Sequence, residues 1–515
     1  MRRSRLSAGT ACLAILLNSN SFAAPAVINI NTQTSTPLAF GFSGFNVPQL
    51  RNAVEYYDTK FLKAIVPLKP GIMRFPAGTA SMAYDWQAGM LNTTWLNYLI
   101  GGTSPLVSSG TANILTASQQ LTQVKSGVFL ADYAAFASTF GSPTVICFNG
   151  YTDNNPSSAA LMAQAAQQYG LNVVEWELAN EPYLYPNIFA TPAAYAGATY
   201  SPYFTDLTSV APSAVVGAFS AGLFPGMPVS TTWDTGLAAY TPRYWNASSI
   251  HIYPMSTGAG VMKTWETLNG ILAHGSVDYI SSYLVPLIGA GTPVFITEFN
   301  CCDGPNNPYN SYLYNGVFLV EYIARLSSMA NVKGVLVNSL YTDNYDTHGI
   351  LQSVNDYETY LLAQLAANPS YSTNTATNPN TQFQFYTSAP GVALAVANQA
   401  FNRSSRTWPT TVTGSNTVPI VGYDSQPVPA LFAQAYLANT GSHYLLITNK
   451  ASAAQYVTVQ LNGVNVTGRL ALTFVANSNG QVANTASSPS TVAIQTSKLT
   501  SPFAVGPNSV TVVNW

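Results

Sequence analysis

Between Ile28 and about Ala366, short apolar runs alternate with longer stretches whose apolar residues recur at helical spacing. The short runs end in small or polar residues. They predict strands at residues 39–45, 71–75, 144–148, 173–178, 215–219, 249–253, 293–299 and 334–340. Residues 130–140, 157–169 and 311–329 carry the helical period. Eight strands alternating with helices predict an α/β fold closed into a (β/α)8 TIM barrel over residues 25–366, in preference to an open sheet.

The pattern then changes. Residues 367–382 are rich in Asn, Ser, Thr and Pro and read as a linker. Beyond it, residues 391–398, 430–438, 443–449, 456–461, 470–475 and 509–513 look like short strands separated by turn residues. That spacing predicts a C-terminal β-sandwich over residues 383–515, with an early strand at 26–30 joining it. At the other end, residues 1–24 read as an export signal. Arg2, Arg3 and Arg5 precede an apolar run at 11–17, and Ser21-Phe22-Ala23-Ala24 offers small residues for cleavage. The apolar run is too short to span a bilayer, so a secreted or periplasmic protein with no membrane span is expected.

Charged residues are only 7% of the chain, far below the usual quarter. Without the three signal arginines the net charge is about −5, and no cluster of Lys and Arg marks a phosphate track. Nucleic acid and heavily sulfated glycans are therefore poor partners. A surface with so few carboxylates gains little charge on acidification, which predicts an enzyme at home in acid. Beyond the signal, Cys147, Cys301 and Cys302 are too few for a disulfide framework. The adjacent pair Cys301–Cys302 reads either as a strained vicinal disulfide or as two separate thiols. No metal site or cofactor motif is expected. His348, near Asp343 and Asp346, reads as part of a solvated polar loop.

From Thr359 to the C-terminus there is one acidic residue, Asp424, and one histidine, His443, so the chemistry belongs to the first domain. In a parallel barrel catalytic groups sit at the C-terminal ends of strands. The fourth expected strand breaks at Asn180-Glu181-Pro182, and the seventh ends in Thr297-Glu298-Phe299. Their terminal carboxylates can flank one sugar across the barrel mouth. Two carboxyl groups roughly 5–5.5 Å apart suit glycosidic cleavage with retention, and roughly 6.5–9.5 Å suits inversion. Glu175 and Glu177 lie within their strand and read as interior partners for a base or hydroxyl.

Asn180-Glu181-Pro182 after one strand, with Thr297-Glu298-Phe299 in a later one, resembles the motifs of clan A (β/α)8 retaining glycoside hydrolases. The resemblance implies Glu181 as acid/base, Asn180 as donor to the sugar 2-hydroxyl, and Glu298 as nucleophile. Arg74-Phe75-Pro76-Ala77-Gly78 with Tyr84-Asp85-Trp86 looks like a segment of the α-L-arabinofuranosidase family, whose arginine steadies the nucleophile. This chain departs from that segment at Ala77, where a glycine is usual. His251-Ile252-Tyr253 resembles the His-x-Tyr of the sixth strand, whose tyrosine bonds the nucleophile. The appended sandwich is shared with the heparanase/β-glucuronidase, α-L-arabinofuranosidase and β-xylosidase families.

By position at strand ends or loops, Trp86, Asn149 and Tyr341 are further candidates for sugar contact. The expected activity is retaining hydrolysis of an oligo- or polysaccharide, with either a terminal uronic acid, as in β-glucuronidases, or a neutral plant or microbial glycan. A transglycosylase with the same residues and a non-catalytic glycan-binding protein are the alternatives.

Overall fold

The computed structural model describes residues 24–47, 54–76, 78–102, 105–221, 228–255, 264–275, 278–302, 307–342, 347–371, 384–422 and 425–515. Nearly all of the expected export signal, most of the expected linker, and Ala77, Asp343, Asp346 and Asp424 lie outside these residues.

After a first strand, β1 (Ala26–Ile30), eight strands close a parallel barrel: β2 (Ser43–Asn46), β3 (Met73–Phe75), β4 (Thr144–Phe148), β5 (Val173–Leu178), β6 (Val216–Phe219), β7 (Ala247–Ile252), β8 (Val294–Phe299) and β9 (Val332–Val337). They pair in chain order, and β9 closes onto β2. Every one overlaps a run whose pattern predicted a strand, and most are apolar-rich because strands buried on both faces read as near-continuous apolar stretches. Ile72, Val145, Ala247, Phe295 and Leu336 form a separate apolar cluster. Polar side chains on the same strands occupy the layers toward the mouth.

The sandwich packs a seven-stranded sheet on a five-stranded one. β1 lies between Thr410–Thr413, antiparallel, and Gln455–Leu461, parallel, so the start of the described chain is built into the C-terminal unit. Strand His443–Asn449 alternates strictly. Leu445 and Ile447 enter the sandwich interior, while Tyr444 and Leu446 join the cluster shared with the barrel. Period two with both faces buried is why residues 444–447 form an unbroken apolar run.

Two helices form the joint. α1 (Leu313–Leu326) packs against α2 (Ala389–Phe401), and α2 in turn meets the sandwich strands Leu470–Ala476 and Ser509–Asn514. This corrects one expectation, since residues 391–398 read as a strand and are helix. Gly-Val-Ala-Leu-Ala-Val-Ala-Asn is buried on all sides, which erases the polar face that would have revealed the helical period. The start signals were present: Ser388 caps Gly391 N–H, and Pro390 sits in the first turn. Close packing is made possible by Gly316, where a Cβ would come within 2.7 Å of Ala393 Cβ.

Candidate active site

Arg74, at the centre of β3, is fully buried and organises the barrel mouth. Its Nη1 donates to Glu298 Oε1 at 2.7 Å and to Asn46 Oδ1 at 3.1 Å. Nη2 donates to Asn180 Oδ1 at 2.8 Å, and Nε donates to Glu177 Oε2 at 2.7 Å. Burial opposes its charge, but Glu177, ahead of Cys147 and Glu298, holds its pKa above the ordinary value. A guanidinium is a rigid planar fork, so four acceptors fix it in one orientation. Glu177 also accepts from Thr297 Oγ1 at 2.5 Å. One layer lower, Ser249 donates to Glu175 at 2.9 Å. Burial, then the neighbouring Glu177, pushes the Glu175 pKa well above the usual carboxylate value. Both residues are the interior partners their in-strand positions suggested.

Glu298 reaches the mouth through an irregularity. The pairing register of β8 shifts between Ile296 and Phe299 against β9, and between Ile250 and His251 against β7. The bulge lets Thr297 point down to Glu177 while Glu298 points to Arg74 and Tyr253. Bulges of this kind re-aim side chains beside functional sites. Tyr253 O–H donates to Glu298 Oε2 at 2.6 Å and accepts from Asn338 Nδ2 at 2.8 Å. Burial, then Glu298, raises the Tyr253 pKa well above its usual value, so it stays a donor.

Glu181 stands in left-handed backbone, φ 52°, and so does Ala179, φ 64°. For non-glycine residues this costs about 1–3 kcal/mol each and persists only where the surroundings over-determine it. Here Tyr195 O–H holds Leu178 C=O at 2.6 Å, and Tyr151 O–H donates to Asn180 C=O. The turn aims Glu181 at His251, whose Nδ1 lies 2.9 Å from Glu181 Oε1. Tyr183 O–H also reaches Glu181 Oε1, at 3.2 Å. Burial lowers the His251 pKa to about 4, against the pull of Glu298. The imidazole is therefore neutral through most of the acid range, and its ring edge meets Phe219.

The same Nδ1 lies 3.7 Å from Glu298 Oε2. The gap between that oxygen and Glu181 Oε1 is thus capped at the sum of the two distances from Nδ1. The side chains of Glu181 and Glu298 remain 18% and 11% exposed, so both face solvent at the mouth although their partners are buried.

Of the residues singled out in the sequence, Arg74, Asn180, Glu181, His251, Tyr253 and Glu298 thus form one network. Asn149 and Trp86 do not enter it. Asn149 spends its amide on Tyr84 C=O and on its own loop through Tyr151, Thr152 and their N–H groups, and Trp86 donates to Ser158 at 3.0 Å. Tyr341 must be corrected: it is fully buried, edge-on to Phe61 and Phe385, and is core rather than a sugar contact. His348, read as solvated, is buried, with Nε2 2.8 Å from Cys302 C=O. Asn46, Tyr183 and Asn338 were missed. Asn46 and Asn338 lie at the ends of the first and eighth barrel strands, a positional signal that could have found them. Among the described residues no cluster of three His, Cys, Asp or Glu could hold a metal, and no helix is long and apolar enough to cross a membrane.

Neither a protein-family model nor a curated protein matches the sequence. Solved structures do match in fold. An α-L-arabinofuranosidase from Thermotoga maritima, in complex with arabinose, superposes with a TM-score of 0.65 at 15% identity, over 95% of this chain and 99% of that one. A family 51 α-L-arabinofuranosidase from Bifidobacterium longum gives 0.64 at 14% identity, over 95% and 99%. A 4-O-α-L-rhamnosyl-β-D-glucuronidase from Fusarium oxysporum 12S gives 0.59 at 14%, over 95% and 100%. The architecture of barrel plus sandwich is therefore shared with these structures over 95% of the chain.

Proposed function

We propose that the protein is a retaining glycoside hydrolase, with Glu298 as nucleophile and Glu181 as acid/base. The observation that carries this reading is the spacing of the carboxylates around His251 Nδ1. The two carboxylates converge on one imidazole nitrogen, at 2.9 and 3.7 Å, while Arg74 and Tyr253 each hold an oxygen of Glu298.

The residues divide the work as follows. Arg74 and Tyr253 each hold one oxygen of Glu298 and keep the carboxylate aimed at an anomeric carbon. Protonated Glu181 gives its proton to the departing oxygen while Glu298 forms the glycosyl bond. Glu181, then ionised, takes a proton from water, which attacks the same carbon and frees Glu298. A neutral imidazole suits both states of Glu181: Nδ1 accepts from the acid, and the other tautomer donates from Nδ1 to the carboxylate. Asn180, anchored through Oδ1 on Arg74, has its amide N–H groups left for a sugar hydroxyl.

For the substrate, a neutral glycone is the better fit. Arg74, the cation at this centre, is saturated by Glu177, Glu298, Asn180 and Asn46. Arg243 is spent on Ile288 C=O and Thr292, near the start of β8 and away from its mouth. The likeness to α-L-arabinofuranosidases agrees with a neutral pentose; the likeness to a rhamnosyl-glucuronidase keeps a uronide as the second reading. Export to the periplasm or beyond rests on the N-terminal signal pattern. The test is hydrolysis of aryl α-L-arabinofuranoside, β-xyloside, β-glucoside, β-galactoside and β-glucuronide between pH 3 and 7. Turnover of one sugar by the wild type, lost in Glu298→Ala, is expected. Equal rates in both proteins would refute the assignment.

A further inference from the structure

Cys301 and Cys302 follow Glu298 by three and four positions and are both fully buried. Their sulfurs lie 3.1 Å apart. That is closer than the roughly 3.5–4.0 Å at which unbonded carbon atoms rest, and sulfur is the larger atom. Their surroundings tie three mouth loops together. Cys301 C=O accepts from Met255 N–H at 2.8 Å, two residues beyond Tyr253. Cys302 C=O lies 2.8 Å from His348 Nε2, in the loop after β9. Asn300, just before the pair, donates to Asn338 C=O at 2.7 Å and accepts from Cys301 N–H at 2.8 Å. Asn338 in turn donates to the Tyr253 hydroxyl that holds the nucleophile.

We infer that Cys301 and Cys302 are a modification site, joined in the mature protein as a reducible vicinal disulfide that stiffens this junction. The chemistry is exchange with an external disulfide, either a small molecule or an oxidoreductase. The thiolate of one cysteine attacks a sulfur of that disulfide and expels one thiolate. The second cysteine, deprotonated, then displaces the other, closing the ring. Two electrons and two protons leave the pair, and the external disulfide becomes two thiols. Neighbouring Cα atoms are about 3.8 Å apart, below the roughly 4.4–6.8 Å of ordinary disulfides, so the bond is strained and easily reduced. Strained bonds of this kind are the labile, switchable ones.

The inference does not depend on the sugar or on the glycosidase reading, because its primary readout is a thiol count. The chain lacking residues 1–24, and with them Cys12, purified without reductant and then unfolded and alkylated, should take one label, at Cys147. After phosphine reduction it should take three, with a mass gain of two hydrogens before labelling. Native protein should lose thermal midpoint on reduction, and Cys301→Ser/Cys302→Ser should sit at the reduced midpoint and ignore reductant. Three labels in the unreduced protein, both as purified and after refolding with oxidised glutathione, would overturn the inference. That count on the wild type stands even if the double variant fails to fold.

Discussion

Arg74 spends its guanidinium on four acceptors, and the deepest of them, Glu177, never reaches the mouth. If Glu177 sets the pose of Arg74, then Glu177→Gln should shift Glu298 and Asn180 together without touching substrate. We expect kcat to fall about a hundredfold with KM little changed, the usual cost of misplacing a reacting group by about 1 Å. An unchanged kcat would show that Asn46 and the strand alone suffice. His251 makes a prediction in pH. Its folded pKa of about 4 lies below the value of 6.5 in an unfolded chain, so the unfolded state binds the proton first. Stability from this group is full above pH 6.5 and is lost as pH falls toward 4, by about 3 kcal/mol. Asp234 runs the other way: burial lifts it to about 6, so its contribution is greatest in acid and is lost as pH rises through 6. In urea titrations, His251→Gln should remove the fall between pH 6.5 and 4. Parallel curves for wild type and variant would contradict the buried, neutral imidazole.

At the scale of elements, α1 is fastened to the sandwich by a buried charge. Glu321 accepts from Lys450 at 2.7 Å, from Thr448 at 2.7 Å and from Arg325 at 2.8 Å. Burial opposes its ionisation, but Lys450 and then Arg325 hold its pKa below the usual range. Its stabilisation is therefore present above the ordinary carboxylate pKa and lost as pH falls through the lowered one. Glu321→Ala strands Lys450 and should cost about 3–5 kcal/mol in denaturant unfolding. Glu321→Leu with Lys450→Met should recover most of it, and a loss below about 1 kcal/mol in the single variant would rule out the lock. This pair was invisible in the sequence, since its members are 129 positions apart and no local pattern joins them. Most barrel strands were legible because they are apolar-rich runs of strand length closed by small or polar residues. The helix at Ala389–Phe401 was not, because burial on every side removes the periodicity on which the reading depends. Tyr341 failed for a related reason: position at a strand end does not say which way a ring turns.

Across the whole molecule, the division of labour follows the distribution of ionisable groups. The sandwich supplies β-structure, the α2 joint and the Lys450 anchor, while His443 merely packs between Trp408 and Trp515. The barrel supplies the acids. Six of the nine residues singled out by strand-end position and motif are brought together in one network centred on Arg74. What sequence could not give was the gap between Glu181 and Glu298, because that depends on the bulge in β8 and the left-handed turn at Glu181. That gap is the centre of the account, and stereochemistry reads it directly. Proton NMR of the first sugar released from the preferred aryl glycoside, recorded before mutarotation, should show the substrate's own anomeric configuration. Release of the opposite anomer would mean an intervening water, and Glu298 would then be a base and not a nucleophile.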